Sequence, residues 1–349
     1  MTAAEKTAEQ AHMFACRLRK KQRRLQKWAA RNGVECYRLY DKDIPEIPLT
    51  VDRYRLLPDG SAEPLDCALA YLYERPYQKN ETDEAQWLSV MLGAASGELD
   101  IPASRIYAKV RRRQRGNRQY EKAPEAESVC GVLLEHGLRF RANLGRYLDT
   151  GIFLDHRPLR KLLAETACGK TVLNLFCYTG AFSVYAASGG AAFVDSVDMS
   201  NAYLETARQN MRLNGLGENA IFHRADALRF VQTAREAHKT WDIIVVDPPT
   251  FSNSKKMRGT LDLNADWAFL VGDCAALLNE GGMLYFSTNS KRLKFDADTL
   301  REQAAVAARG KISALDITEI TASTIPEDFV GTKPHRVWSV ALAGNVRVS

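Results

Sequence analysis

The spacing of apolar residues changes near residue 150. From there onward, short apolar runs alternate with segments in which apolar residues recur every three or four positions. Short runs are typical of buried strands and the recurring pattern is typical of amphipathic helices. Regular alternation of the two favours a parallel sheet covered by helices on both faces.

The second half is therefore predicted to be an α/β, seven-stranded, doubly wound, Rossmann-like domain. Its predicted strands are 172–176, 193–197, 220–224, 243–246, 283–287, 314–319 and 336–343. Its predicted helices are 181–188, 201–214, 227–237 and 265–278.

The first half predicts a smaller, mixed α+β module. Residues up to about 11 are expected to be a loose terminus. Phe14, Leu18, Leu25 and Trp28 then follow helical spacing, and Asn32-Gly33 is expected to end the helix. Strands are predicted at 37–40, 51–54, 67–73, 101–110 and 128–143, with a turn at 135–137 and a helix at 81–96. We expect three regions: a basic helical segment over 1–35, the module over 36–147, and the regular domain over 148–349.

Positive charge is concentrated in the first half. The net charge is only +6, but eight basic residues with no acid between them lie within residues 17–31, and a second cluster spans 105–122. Such an uneven distribution indicates a polyanionic partner such as RNA. The predicted RNA contacts are Arg17, Lys20, Lys21, Arg24, Arg111, Arg112, Arg113 and Arg115.

Several function classes are disfavoured by what the sequence lacks. There is no apolar run of the length that spans a membrane, so no membrane partner is expected. The seven cysteines are scattered and never form a Cys-x-x-Cys pair. This pattern predicts neither a disulfide framework nor a metal site, and it favours a reducing cytoplasm.

The first predicted strand of the second half runs into a glycine-containing turn, which is expected to approach a ligand closely. With Gly180 alone there is no Gly-x-Gly-x-x-Gly pattern, which disfavours a dinucleotide pyrophosphate. S-adenosyl-L-methionine carries no phosphate, so one glycine suffices. The candidate ligand contacts in this turn are Phe176, Tyr178, Thr179 and Gly180.

Acidic residues follow the second and third predicted strands. Asp198, before Met199, is placed to accept both ribose hydroxyls of an adenosine. Asp226, before Ala227, is placed to accept from the adenine amino group. Each acid also has an alternative interpretation as a helix N-cap, and for Asp226 the two roles are compatible.

The fourth predicted strand carries the strongest signal. Four apolar residues, 243–246, lead directly into Asp247-Pro248-Pro249-Thr250-Phe251. The prolines fix the backbone and remove N–H donors, leaving carbonyls, and Phe251 is suited to stack on a base. The sequence resembles a tetrapeptide with which nucleic-acid amino methyltransferases accept hydrogen bonds from the target base. Asp247, Pro248, Pro249 and Phe251 are the candidate catalytic residues.

The chain resembles the large-subunit (23S) ribosomal RNA guanine-N7 methyltransferase family, known as the C-terminal half of a bifunctional bacterial enzyme. The matching segments are 29–54, 111–122, 148–157, 174–180, 197–215 and 247–256. The resemblance implies formation of 7-methylguanosine with S-adenosyl-L-methionine as cofactor. It also implies that residues 148–157 close over the methionine end of the cofactor, with Arg157 on its carboxylate. A hairpin with surface charges is the open alternative for that segment, and His156 is interpreted as packed or hydrogen-bonded.

The partner implied by this resemblance is 23S rRNA or a pre-ribosomal large-subunit particle. The other half of the bifunctional enzyme has no counterpart in this chain, so a separate partner methyltransferase is expected.

Three other functions stay open at this point. A 5-methylcytosine rRNA methyltransferase needs a cysteine nucleophile, but neither the fourth-strand motif nor the segment 285–290 holds one. A non-enzymatic RNA-binding ribosome assembly factor would use the same fold without methyl transfer. An NAD oxidoreductase is disfavoured by the missing glycines.

Overall fold

The protein is described from a computed structural model. The structure describes residues 2–75, 80–111, 129–145, 148–252, 261–310 and 314–342. The chain divides into two compact units. The first contains Met1–Leu154 and Glu327–Thr332, and the second contains Asp155–Pro326 and Lys333–Ser349. The regional boundaries expected at 35/36 and 147/148 stay predictions.

The first unit begins with a long helix, α1 (Ala3–Asn32). The expected loose terminus is wrong, because Thr2 and Glu5 form a reciprocal capping box that starts the helix at Ala3. Farther along, Gln10 accepts a 2.7 Å hydrogen bond from the indole of Trp87. The expected end is confirmed: Gly33 takes a left-handed conformation and its N–H closes the last turn.

A six-stranded sheet forms the rest of this unit, together with helix α2 (Glu81–Leu99). Its strands are β1 (Tyr37–Asp41), β2 (Leu49–Pro58), β3 (Leu65–Tyr73), β4 (Ile106–Arg111), β5 (Cys130–Glu135) and β6 (Leu138–Asn143). The order is β4-β3-β2-β5-β6, with β1 also paired to β2. The predicted strand at 101–110 begins only at Ile106, because Ala103–Arg105 form a 3-10 turn. The predicted turn at His136-Gly137 is confirmed by positive φ at both residues.

A buried ion network ties the segment Glu327–Thr332 to the first unit. The Arg38 guanidinium donates to Asp52 at 2.7 Å and to Asp41 at 2.8 Å, and lies 4.6 Å from the ring centre of Phe329. The backbone N–H of Arg38 donates to the fully buried carboxylate of Asp328 at 2.9 Å. Losing one member would leave an uncompensated buried charge, so the network holds this segment in place.

The second unit contains a seven-stranded sheet with helices on its faces, which confirms the predicted fold class. Its strands are β7 (Thr171–Leu175), β8 (Phe193–Asp198), β9 (Ala220–Arg224), β10 (Trp241–Val246), β13 (Leu278–Thr288), β14 (Leu315–Glu319) and β15 (Arg336–Leu342). A separate two-stranded pair comprises β11 (Phe251–Ser252) and β12 (Leu261–Asp262). The helices are α3 (Arg157–Thr166), α4 (Ala181–Ser188), α5 (Asn201–Leu213), α6 (Ala227–Glu236), α7 (Leu263–Ala275), α8 (Ala297–Ala307) and α9 (Thr321–Thr324). Sequence periodicity missed α3, α8 and α9.

The apolar run of β10 shows why both faces of this sheet must be covered. Ile244 and Val246 pack into one apolar cluster, whereas Ile243 and Val245 pack into another. Successive side chains of a strand point to opposite faces, so a central strand between two helical layers is apolar throughout.

The strand order is β14-β15-β13-β10-β7-β8-β9, and β7, β8, β9, β10 and β13 run parallel. From β7 the chain proceeds to β8 and β9 on one side, then returns to place β10 on the other side. This reversal between β7 and β10 opens a crevice at the carboxyl ends of the strands, where ligands bind in such sheets.

No helix in the described part of the chain is both long enough and apolar enough to cross a bilayer.

Candidate active site

The turn after β7 has an unusual backbone. Phe176, Tyr178 and Gly180 all have positive φ, at 55°, 50° and 74°. Hydrogen bonds hold this conformation: the Cys177 N–H donates to the Val197 carbonyl at 3.0 Å, and the Gly180 N–H donates to the Cys177 carbonyl at 2.8 Å. Two non-glycine residues in this region indicate a turn stabilised by its surroundings.

Gly180 is required for packing as well as for conformation. A Cβ at this position would lie 2.7 Å from the Cβ of Ala207 on α5. On the same helix, the Asn210 amide donates to the Thr179 carbonyl at 2.8 Å. The turn after β7 therefore packs directly against α5.

Both carboxylate oxygens of Asp198, at the end of β8, accept hydrogen bonds from the backbone. One oxygen accepts the Tyr178 N–H at 3.0 Å and the other accepts the Ser200 N–H at 2.8 Å. Burial raises the pKa of Asp198, although the backbone N–H groups oppose this shift. A carboxylate has about four acceptor sites, so lone pairs remain for further donors beside the turn.

The acid at the end of β9 is an N-cap. Asp226 accepts the Leu228 N–H at 2.9 Å and starts α6. The next residue, Ala227, is 4% exposed and its side chain lies in the core. Both interpretations of Asp226 remain compatible, because its carboxylate keeps unused acceptor sites.

The predicted catalytic motif lies at the carboxyl end of β10. The Asp247 carboxylate is 26% exposed, Pro248 is buried and Pro249 is exposed. Phe251 is 55% exposed, which is uncommon for a large aromatic side chain and suits contact with a flat ligand.

The loops after β10 and β13 are joined by short hydrogen bonds. The Thr250 hydroxyl donates to the Asn289 amide oxygen at 2.6 Å. The hydroxyl of Ser290, the residue after Asn289, donates to the Asn264 amide oxygen on α7, also at 2.6 Å. These bonds fix both loops where the two neighbouring strands end.

A buried polar cluster faces Asp247. Nε2 of His156 lies 2.8 Å from the Ser287 hydroxyl and 3.6 Å from the Asp247 carboxylate. Nδ1 of His156 lies 3.5 Å from Asp155 and has no hydrogen-bond partner among the described residues. The His156 ring stacks on that of His335, with 4.4 Å between centres.

His335 completes this cluster, and sequence reasoning missed it. Its ring nitrogens bond Asp155 at 2.9 Å and Thr324 at 3.1 Å. The ligand-type atoms of Asp155, His156 and His335 lie within 4.8 Å of one another. Because both His335 nitrogens already have partners, the geometry is that of a hydrogen-bonded core cluster. No local signal links residues 180 positions apart in sequence.

The predicted RNA-contact residues fall in the first unit. Arg17, Lys20, Lys21 and Arg24 lie on α1, and Arg111 ends β4. Arg111 donates to Asp149 at 3.0 Å and lies over the Tyr71 ring. Arg112, Arg113 and Arg115 lie outside the described residues.

Two further predicted contacts belong to the second unit. Arg157, the first residue of α3, is only 2% exposed. Met199 follows the Asp198 carboxylate and is partly exposed.

Cysteine chemistry finds no support at the Asp247 edge. Residues 247–252 and 287–290 contain no cysteine. The nearby Cys177 is buried in the turn after β7, and burial raises its pKa well above the usual range. Such a thiol is a poor source of the thiolate that attack on a base requires.

Comparison with known proteins gives consistent matches. A family described as S-adenosylmethionine-dependent methyltransferase matches residues 103–319. The ribosomal RNA large subunit methyltransferase K/L of Magnetococcus marinus is 42% identical over 339 residues, covering 96% of this chain and 44% of that protein. The ribosomal RNA large subunit methyltransferase K of Neisseria meningitidis serogroup B is 42% identical over 328 residues, covering 94% and 86%. The chain thus spans less than half of the first relative and most of the second.

Two solved structures share the fold. One is a SAM-dependent methyltransferase from Streptococcus mutans and the other is a methyltransferase complexed with S-adenosylhomocysteine. Each has a TM-score of 0.70 and 25% identity, and each alignment covers 95% of this chain and 81% of the other.

The residues at the crevice fit S-adenosylmethionine. The Asp198 carboxylate keeps acceptor sites that suit ribose hydroxyls, and Gly180 lets the turn backbone stay close to α5. The turn lacks the glycine pattern that a pyrophosphate needs, and this cofactor has no pyrophosphate.

We predict that Gly180→Ala weakens S-adenosylhomocysteine binding and destabilises the second unit. The new methyl group meets Ala207, and the left-handed backbone adds strain of about 1–2 kcal/mol. Isothermal titration calorimetry and denaturant unfolding would measure the two effects. Gly93→Ala is the control, because a Cβ there meets nothing within 4 Å. Equal behaviour of the two variants would contradict the role assigned to Gly180.

We predict a pH-dependent contribution of His156 to stability. Burial lowers the pKa of His156, but the charges of Asp247 and Asp155 raise it, and the net direction is upward. A raised pKa stabilises the folded state below the unfolded-state value of about 6.5, and this contribution is lost as pH rises through the folded value. The difference in unfolding free energy between wild type and His156→Gln should therefore shrink above pH 6.5.

Denaturant unfolding from about pH 5.5 to 9 would measure this difference. A difference that grows with pH would show that His156 is held neutral.

Proposed function

The chain belongs to the S-adenosylmethionine-dependent methyltransferase family, and we propose that it forms 7-methylguanosine in 23S ribosomal RNA. The observation that carries the proposal is the Asp247-Pro248-Pro249 edge at the crevice, with exposed Phe251 behind it. The relatives that act on large-subunit ribosomal RNA support the substrate class. N7 as the acceptor atom follows from the family resemblance of the sequence.

We assign the adenosine end of the cofactor to the ends of β8 and β9. Asp198 accepts from the ribose hydroxyls, since its two backbone bonds fix the carboxylate beside the turn. Asp226 accepts from the adenine amino group while it caps α6. The remaining contacts of this subsite are Phe176, Tyr178, Thr179, Gly180, Met199 and Ala227.

We assign the methionine end to the start of α3, where Arg157 would pair with its carboxylate. Charge-assisted bonds of this kind are among the stronger hydrogen bonds in proteins. When bound, the cofactor supplies an electrophilic methyl group on a sulfonium.

The chain's own residues supply alignment and charge. Guanine N7 has an in-plane lone pair and loses no proton on methylation, so no general base is needed. Catalysis rests on holding N7 in line with the methyl group. The purine gains positive charge during transfer, and the Asp247 carboxylate offsets that charge.

Phe251 is proposed to stack on the target base. Stacking on an aromatic side chain is a common way to hold an unpaired base in RNA recognition. Its exposure leaves the ring face available.

The exposed face of α1 is proposed to hold RNA phosphates. Arg17 and Arg24 each lie 3.7 Å from a carboxylate, Asp43 and Glu327 respectively. By contrast, Lys20, Arg23 and Lys27 are exposed and make no ion pair with any residue that the structure describes. Spaced three and four residues apart, these three cations share one helix face and are available for phosphates.

The product is tested by mass spectrometry of 23S rRNA nucleosides from cells with and without this protein. Loss of one 7-methylguanosine, restored by the purified protein and S-adenosylmethionine, would support the proposal. Loss of a 5-methylcytosine instead, or a covalent complex with 5-fluorocytosine RNA, would favour the cysteine mechanism. Unchanged nucleosides with retained RNA binding would favour an assembly factor.

Asp247→Ala should abolish methyl transfer and leave S-adenosylhomocysteine binding intact. The variant removes the charge that offsets the developing cation, which is worth about 100-fold or more in rate. Single-turnover assays and calorimetry would measure the two quantities. Asp298→Ala is a matched control, because its side chain is 84% exposed on α8. Near-normal turnover of Asp247→Ala would show that the proposed site is wrong.

Combined replacement of Lys20, Arg23 and Lys27 by glutamine should weaken RNA binding and flatten its dependence on salt. Each lost phosphate contact reduces the slope of log affinity against log salt by about 0.7–0.9. Filter binding between low and moderate salt would measure the slope. Arg19→Gln is the control, because Arg19 is bonded to Glu98 at 2.7 Å. An unchanged slope in the triple variant would exclude this face of α1 as the RNA contact.

A further inference from the structure

Asn289 occupies a position that the proposed mechanism has not used. It directly follows β13, whereas Asp247 directly follows the neighbouring strand β10. The two strands are parallel and paired through Val246 and Phe286, so both residues leave the sheet at the same edge. Continuing this register places Asp247 opposite Ser287, so Asn289 lies one strand across, about 4.8 Å, and two residues farther along, a separation that the two side chains and one base together can bridge.

The orientation of the Asn289 amide is set by Thr250. Their 2.6 Å contact suits an O–H···O bond, which is typically shorter than an N–H···O bond. Because the amide oxygen accepts from the hydroxyl, the amide nitrogen points away from Thr250. The side chain is exposed, and its NH₂ group has no partner among the described residues.

The backbone on both sides of Asn289 is held in place. Thr288 is buried and its hydroxyl accepts the Ser290 N–H at 3.0 Å. Ser290 is also buried and donates to Asn264 on α7. A donor held this firmly is preorganised for recognition.

The edge therefore presents a carboxylate acceptor from Asp247 and an amide donor from Asn289. Guanine offers a keto acceptor at position 6 and N–H donors at positions 1 and 2. Adenine and cytosine carry an amino donor in the place of that keto group. An amide NH₂ facing that position is satisfied by guanine and left unpaired by adenine or cytosine, which costs binding energy.

We propose that Asn289 is a specificity-determining residue that donates to the 6-keto oxygen of the target guanine, with its amide oriented by Thr250. This rests on the proposed function, because it assumes guanine as the substrate. It adds a base-reading residue outside the Asp-Pro-Pro motif and assigns Thr250 a positioning role.

The test is a cycle of enzyme and substrate changes. The substrate is a 23S rRNA segment that the wild-type protein methylates, made with guanosine or with 2-aminopurine at the target. 2-Aminopurine keeps N7 and the 2-amino group but lacks the 6-keto oxygen. On guanosine RNA, Asn289→Ala should lower single-turnover kcat/KM about tenfold, the effect of one lost hydrogen bond. On 2-aminopurine RNA the variant and wild type should be equal.

Two more variants sharpen the test. Asn289→Asp places an acceptor against the keto oxygen, so it should be slower than Asn289→Ala on guanosine RNA. Thr250→Val removes the hydroxyl that orients the Asn289 amide. It should lower kcat/KM on guanosine RNA, by less than Asn289→Ala does, and should have no effect on 2-aminopurine RNA. Gln232→Ala removes an exposed amide on α6 and should be neutral on both RNAs. S-adenosylhomocysteine affinity, measured by calorimetry, should be unchanged in the Asn289 variants and so reports that the fold is intact.

The failures are distinguishable. If the wild-type protein methylates no guanine N7, the proposed function fails. If it does, but Asn289→Ala is slower than wild type by the same factor on both RNAs, or is normal on guanosine RNA, only the role of Asn289 is overturned.

Discussion

The reversal of strand order between β7 and β10 is the constraint on which the site depends. Strands β8 and β9 lie on one side of β7, whereas β10 and β13 lie on the other side. The loops that follow these two pairs of strands therefore diverge at the carboxyl edge of the sheet. The acids after β8 and β9 then face one part of the crevice, and the residues after β10 and β13 face the other. The cofactor half and the acceptor half that we propose for the crevice thus correspond to the two sides of this reversal.

The sheet was predictable because its signals are local. In β10, an unbroken apolar run reflects two covered faces, and Ile243 and Ile244 do pack on opposite sides. The turn at Gly180 was also predicted from sequence. The turn signal alone does not reveal that a side chain at this position would collide with Ala207. The start of α1 was missed because a capping box depends on two side chains, Thr2 and Glu5, rather than on apolar periodicity.

The parts of the site that sequence could not predict are those assembled across long separations. Asp155 and His335 meet only because β15 returns beside β13, the strand that carries Ser287. Asn289 was unremarkable as one polar residue after a strand, and only its bond to Thr250 gives its amide a direction. Neither relationship has a signature in spacing, since each depends on the order of strands in the sheet.

The segment Glu327–Thr332 makes the first unit discontinuous in sequence. Its Asp328 and Phe329 complete the environment of Arg38, yet they are encoded after nearly all of the second unit. Domains usually fold as units from the N-terminus during synthesis. Here the N-terminal unit has its full set of contacts only after 332 of the 349 residues have been made. The completion of the first unit is thereby coupled to translation of almost the whole chain.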